Sequence, residues 1–289
     1  MVDRSPAVAG MFYPADAVTC RRQLDRALKG LGEETQGRVV GGIVPHAGWV
    51  YSGRTAAHLF AALAHQAEVP ETVVLFGAIH TWSVSGASLF AAGHWKTPLG
   101  AVEVDAQLAR AISQAAEPGL VVDDAAAHSG EHSIEVQLPF VAYLLPRARI
   151  VPIAMPPVGQ AVAVGRAVAE AATSLGRRIA VVGSSDLTHY GPRYGMAPAG
   201  AGEPAIAWTH ANDQRLLDLA VAMRPEDVLT EAERHLNACG AGAIAATIGC
   251  CLGLGATHGS LLHYTTSYEA MPSGSATDLV GYGAVAYWA

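Results

Sequence analysis

Charge is scarce in this sequence. Asp, Glu, Lys and Arg make up 15% of the 289 residues, and the basic ones never gather into a block. With a formal net charge of −7, the chain lacks the footprint of a nucleic-acid-binding surface. Long apolar runs are missing as well. The longest, 244–254, is interrupted by glycine and falls well short of the roughly 20 residues that span a bilayer. The opening MVDRSPAVAGMFYP has neither the basic start nor the apolar centre of a secretory signal, so a soluble, cytoplasmic protein without a membrane partner is expected. Cysteine is sparse: Cys20, Cys239, Cys250 and Cys251 fit neither a zinc ribbon nor a disulfide framework, and reduced thiols are the simplest reading.

What is present is apolar and glycine-rich. Hydrophobic residues reach 51%, enough for a sizeable core, and by length one large domain is as plausible as two; with no repeat or low-complexity linker to divide the chain, one domain over residues 1–289 is expected. Apolar strand-like runs at 38–44, 72–76, 150–154, 179–182, 263–267 and 279–288 alternate with helical patterns at 52–66, 106–116, 160–175, 208–222 and 240–252, with Ser52 as a candidate N-cap. A further helix is expected over 133–145. Such alternation predicts an α/β protein whose sheet is covered on both faces, in an order the sequence does not reveal. The stretch 191–204, rich in Gly, Pro and Ala, reads as a lid or a surface excursion.

Three of the twelve histidines follow apolar runs directly: His46 after GGIVP, His80 after VVLFGAI and His189 after IAVVGSSDLT. Open α/β sheets bind ligands beyond the carboxyl ends of their strands, so these imidazoles could meet at one edge and hold a metal. Taken singly, each is more often an ordinary structural histidine than a ligand. Glycines around His46 allow close backbone approach, and Tyr51 could offer a phenol to a substrate. Asp186, three residues before His189, could orient an imidazole, or simply cap a turn. Cys239 precedes a Gly/Ala-rich helix, where a thiolate would be stabilised as ligand or nucleophile; the alternative is a small buried apolar residue. HSGEH at 128–132 fits H-x-x-E-H, a zinc-peptidase pattern, but Gly130 and Pro139 argue against the helix it needs. A loop that brings His132 to the same crevice fits better.

The chain resembles the Memo family, also called AmmeMemoRadiSam system protein B. The resemblance rests on RSPAVAGMFYP from Arg4, PHAGWVYSG from Pro45, His80-Thr81-Trp82, TPLG from Thr97, EHSIEVQLPF from Glu131, SSDLTHYG from Ser184, NACG from Asn237 and VGYGA from Val280, in family order from end to end. It implies a fold similar to the class III extradiol (LigB-like) dioxygenases, with a central mixed sheet flanked by helices. It further implies metal ligation by His46, His80 and Cys239, acid–base roles for His189 and His132, and a site position for Asp186. Trp49 and Tyr51 are pocket-wall candidates. Trp49 and Ala78 depart from the family pattern, where Tyr and Pro are usual.

The function this implies is a metal-dependent oxidoreductase that uses Fe(II) and O2 to cleave a catecholic or related small aromatic substrate. The third ligand is the difficulty. Fe(II) extradiol sites use two histidines and a carboxylate, whereas a Cys239 thiolate would suit copper, zinc or iron of a different potential. Glu269 or Asp278 could supply a carboxylate, but no spacing selects either. A metal-binding redox or interaction protein without ring cleavage is the alternative. Composition leaves homo-oligomer formation open.

Overall fold

The computed structural model describes residues 2–32, 37–80 and 86–289. Its elements run β1 (Val2–Arg4), α1 (Ala17–Leu28), β2 (Val39–Val44), α2 (Trp49–Ala64), β3 (Thr72–Gly77), β4 (Ala87–Leu89), β5 (Gly93–Thr97), β6 (Gly100–Glu103), α3 (Ala106–Ala115), β7 (Val121–Asp123), α4 (Leu138–Leu144) and β8 (Arg149–Ala154). They continue with α5 (Ala161–Ser174), β9 (Ile179–Ser184), β10 (His189–Tyr190), α6 (Glu203–Val221), α7 (Pro225–His235), α8 (Ala241–Gly253), β11 (His258–Thr266), α9 (Ser267–Ala270) and β12 (Leu279–Trp288).

The large sheet is mixed, as expected. Its strand order is β10-β12-β2-β9-β3-β8-β4-β7, with β11 also paired to β12. At its centre β2, β9, β3 and β8 lie parallel, each residue of β2, β3 and β9 buried, which is why these segments read as continuous apolar runs rather than alternating ones. Antiparallel β12 and β11 close one side, and antiparallel β4 extends the other. Apart from this sheet, β1, β5 and β6 form a small three-stranded one.

Helices cover both faces. Apolar residues of α1, α2 and α4 pack on one face with Val44, Val73, Leu75 and Val182. Those of α3, α5, α6, α7 and α8 pack on the other with Val40, Ile43, Val74 and Val181. The alternation of core membership along β2, β3 and β9 is the two-residue strand period seen from a sheet buried on both sides. Helix α8 is buried along most of its length, and its glycines and alanines have a packing reason. A Cβ on Gly165 of α5 would collide with the Ala246 carbonyl, so α5 and α8 approach at backbone distance.

Several boundaries differ from expectation. Helix α2 starts at Trp49 with Gly48 at the N-cap, and Ser52 instead donates its hydroxyl to Ala47 O inside the first turn. The helix expected over 133–145 is split into a 3₁₀ turn, Glu135–Gln137, and α4, because Pro139 is tolerated only in a first helical turn. Helix α6 begins at Glu203, earlier than its apolar pattern suggested, with Pro204 in its first turn. The strand expected at 263–267 starts at His258, and Thr266 ends it by capping α9. No helix among the described residues is long and apolar enough to cross a membrane.

Candidate metal centre

Strands β2, β9 and β3 are neighbours and run the same way, so their carboxyl ends open onto one edge. His46 lies two residues beyond β2 and His80 three beyond β3, while Ser184, Ser185 and Asp186 mark the end of the strand between them. A loop from Glu131 to Ile134 crosses the end of β3 and brings a third imidazole. It fits because Gly77 has no side chain: a Cβ there would lie 2.5 Å from Ile134 Cγ1 and 2.6 Å from Ser133 Oγ. Ser133 Oγ then ties the loop to Ala78 O at 3.1 Å. His46, His80 and His132 consequently offer ligand atoms that all lie within 4.8 Å of one another. The His80 and His132 rings stack at 4.8 Å, and both stand edge-on to His46.

Hydrogen bonds assign the tautomers of two of these rings. Ser184 Oγ donates to Ser133 O at 2.7 Å and accepts from Gln137 Nε2 at 3.1 Å. Having spent its proton, it can only accept from His46 Nδ1 at 3.1 Å, so that nitrogen carries the hydrogen and Nε2 keeps its lone pair. His80 Nδ1 sits 3.0 and 3.2 Å from the Glu131 carboxylate oxygens and donates to them, again leaving Nε2 free. This carboxylate–histidine pairing is the arrangement that orients metal-binding imidazoles and raises their basicity. Burial pushes His46 down to about 3, reinforced by His80, and pushes His132 down to about 4, so both rings are neutral near pH 7. For His80 burial opposes the charged form, but the Glu131 hydrogen bond and charge outweigh it and shift the ring upward.

Three neutral or easily neutralised imidazoles are a donor set that suits zinc, copper, iron or nickel. Nitrogens bound tetrahedrally to one ion at about 2.1 Å stand about 3.4 Å apart, so a pair 4.8 Å apart would close by about 1.4 Å. The residues therefore fit a metal with a side-chain adjustment.

Around this cluster the strand-end residues are fixed by backbone groups. Asp186 is buried and accepts the His46 N–H at 2.6 Å and the Ala47 N–H at 3.2 Å; burial raises its carboxyl despite these bonds. Cys239 is half-buried at the start of α8. Its Sγ lies 3.2 Å from His46 Nε2, with Asp186 O at 3.6 Å. Burial, and then the Asp186 charge, push this thiol upward, so it stays protonated and its S–H donates to the His46 Nε2 lone pair. His189 fixes Nδ1–H on Leu187 O at 3.0 Å and presents Nε2, with Tyr194 edge-on at 5.1 Å. The 191–204 stretch thus does reach the site, through Tyr194.

Expectation and structure part at several residues. His132, expected as an acid–base group, stands in the cluster, while Cys239, expected as a ligand, stands beside it. Trp49 does not wall the histidine cluster: it is 6% exposed, donates Nε1–H to Val136 O and packs on Tyr13 and Phe140. Tyr51 is exposed on the first turn of α2. The peptidase pattern is not realised. His128 is wholly buried between Phe90 and Trp95 with Nε2 on Ser88 O, in a 3₁₀ turn rather than on a helical face shared with His132. Glu269 caps α9 and pairs with His210, and Asp278 accepts the Arg193 N–H, so neither carboxylate serves the cluster. Thr81 and Trp82 lie outside the described residues.

Sequence reasoning missed two helpers on α6. Asp213 accepts the Thr188 N–H at 2.8 Å and the Tyr264 hydroxyl at 2.7 Å, and Asn212 Nδ2 reaches Thr188 Oγ1 and His235 O. Together they hold the turn that carries His189. Only their burial on an otherwise amphipathic helix could have signalled them.

A layered α/β sheet with three imidazoles converging past adjacent parallel strands defines a candidate metalloprotein of the strand-end type. The chain matches the family model "Memo-like protein" over residues 4–286, and it belongs to the Memo family. A MEMO1 family protein of Thermococcus onnurineus is 38% identical over 98% of this chain and 99% of its own length. One of Methanothermobacter thermautotrophicus is 40% identical over 96% and 98%. Among solved structures, an uncharacterized protein of Escherichia coli K12 shares the fold with a TM-score of 0.52 at 12% identity, covering 86% of this chain and 99% of that one.

Two outcomes follow from the geometry. Glu131→Gln keeps an oxygen for His80 Nδ1–H but removes the charge, and metal affinity measured by chelator competition should fall about 10–100-fold; unchanged affinity would mean that Glu131 does not prepare the ligand. Burial raises the Asp213 carboxyl to about 6, above its unfolded value near 3.9. The folded state therefore binds more protons between these values, and this group's contribution is full below about pH 4 and lost above about pH 6. Relative to Asp213→Asn, the wild type should lose up to about 3 kcal/mol of unfolding free energy from pH 4 to pH 7 in urea titrations. A pH-independent difference would show that Asp213 does not titrate in this range.

Proposed function

We propose that this Memo-family chain is a metal-dependent oxidoreductase with one ion on His46, His80 and His132, and that with Fe(II) it cleaves catecholic or related small aromatic molecules using O2. The observation that carries this reading is the convergence of three imidazoles, two of them locked to present Nε2, next to an independent imidazole at His189. A ferrous ion in such a set supplies Lewis acidity and open positions for a substrate hydroxyl and O2.

The protein's own part is positional and acid–base. His189 holds its Nδ1 proton on Leu187 O, so Nε2 is the atom that takes a proton from a substrate hydroxyl and later returns it. Phe12, edge-on to His132 at 4.8 Å, and Tyr194, edge-on to His189, present aromatic edges suited to a flat ring. Asp186 fixes the backbone of His46 and Ala47 and places a carboxyl near His189.

Cys239 supports a second reading. Its sulfur is 3.2 Å from a ligand nitrogen, and a thiolate joining the set would favour Cu(I) or zinc in a redox or interaction protein without ring cleavage.

Protein purified anaerobically and reconstituted with Fe(II) should consume O2 when given catechols. His46→Ala should abolish uptake, and His189→Ala should slow it at least about 100-fold with iron retained. Absence of uptake over a broad catechol panel at full iron loading would contradict the dioxygenase reading. Tight Cu(I) binding that disappears in Cys239→Ala would then select the second one.

A further inference from the structure

A hollow of about 450 Å³ lies between α1 and the first turns of α2, remote in chemistry from the histidines. Thr19, Arg22, Gln23, Arg26 and Ala27 line it from α1, and Trp49, Val50 and Arg54 from α2. Three guanidiniums therefore face one space in a chain whose net charge is −7. None of the three forms an ion pair with a carboxylate among the described residues. The nearby acids of α1 are committed elsewhere, Asp16 to the Thr19 N–H and Asp25 to the Tyr143 hydroxyl.

The arrangement favours a negative occupant. Arg22 and Arg26 are four residues apart on one helix, a spacing at which like charges repel. Arg54 adds a third charge and is held in place: its Nη1 donates to Ala27 O at 2.7 Å and Lys29 O at 2.6 Å, at the end of α1. Its remaining N–H groups have no partner among the described residues. Among the described residues, Arg22 reaches only Thr19 Oγ1, at 3.5 Å, and Arg26 makes no side-chain hydrogen bond. An anchored guanidinium flanked by two exposed ones, with a hydroxyl and an amide at hand, supplies the donors that a tetrahedral oxyanion with two or more charges takes. The volume falls within the range of small-ligand pockets and is too small for a folded partner.

We propose that this hollow is a binding site for a phosphate-bearing small molecule, separate from the metal centre. Its ligand is a phosphomonoester or diphosphate held by Arg22, Arg26 and Arg54. The inference does not depend on the reaction proposed for the histidine cluster.

Calorimetric titration of the metal-loaded protein with inorganic pyrophosphate tests it. Saturable binding is expected, weakening as sodium chloride is raised and falling at least ten-fold in the Arg22→Gln/Arg26→Gln double variant. Both side chains are exposed on α1, so the variant should melt at the wild-type temperature with its metal content intact. Pyrophosphate bound at the metal would persist in that variant, because every histidine is retained. Binding that survives the double substitution, or no saturable binding to the wild type, would overturn the proposal.

Discussion

The carboxylate of Glu131 is the interaction on which the rest of the site depends. It is almost fully buried, yet it accepts the backbone N–H groups of His80, His132 and Ser133 and the Nδ1–H of His80. Burial alone would raise this acid; the hydrogen bonds it accepts from His80 and Ser133 outweigh it and hold the carboxyl well below the usual range. One anion thus joins the turn after β3 to the loop before α4, and it sets which nitrogen of His80 faces outward. Its own backbone is anchored from the far end of the chain, where Arg4 Nη2 donates to Glu131 O at 2.6 Å. Arg4 also pairs with Glu135 at 2.7 Å and lies over the Trp95 ring, so the N-terminal strand helps hold a loop more than 120 residues away.

The same logic recurs on the neighbouring strands. Ser184, at the end of β9, passes a single proton to Ser133 O and thereby fixes His46 as an Nδ1–H tautomer, with Gln137 bracing both Ser184 and Pro45 O. Asp186 ties the residue after β9 to the backbone after β2. Imidazoles that would cost free energy to bury with unpaired nitrogens are satisfied on one side and left open on the side that faces the cluster. A rigid parallel sheet supplies the positions, and short loops supply the chemistry.

Much of this could be read in the sequence. The central strands were legible because a strand buried on both faces is apolar without interruption, and His46 and His80 were legible because they follow such runs. The mixed sheet came from the family motifs rather than from periodicity, and His132 was legible from the loop that Gly130 and Pro139 impose, before the motifs gave it a role. The short outer strands β4 and β7, three residues each, carry no pattern long enough to recognise. Trp49 was misjudged because a tryptophan beside a ligand motif looks like a pocket wall, while its indole N–H finds Val136 O inside the core. The pairing of Glu131 with His80 spans 51 residues, and that of Asp213 with Thr188 spans 25. Such contacts are set by loop and helix placement, which local sequence does not encode.

The central claim is that three imidazoles, prepared by Glu131 and Ser184, make the metal-binding set. The most direct measurement is a crystal structure of anaerobically prepared, iron-loaded protein, with the ion identified by anomalous scattering. The account predicts one ion with His46, His80 and His132 nitrogens at about 2.0–2.2 Å, the first two through Nε2, and with Glu131 still hydrogen-bonded behind His80. An ion bound directly by Glu131 or Asp186, or bound through Nδ1 of His46 or His80, would contradict it.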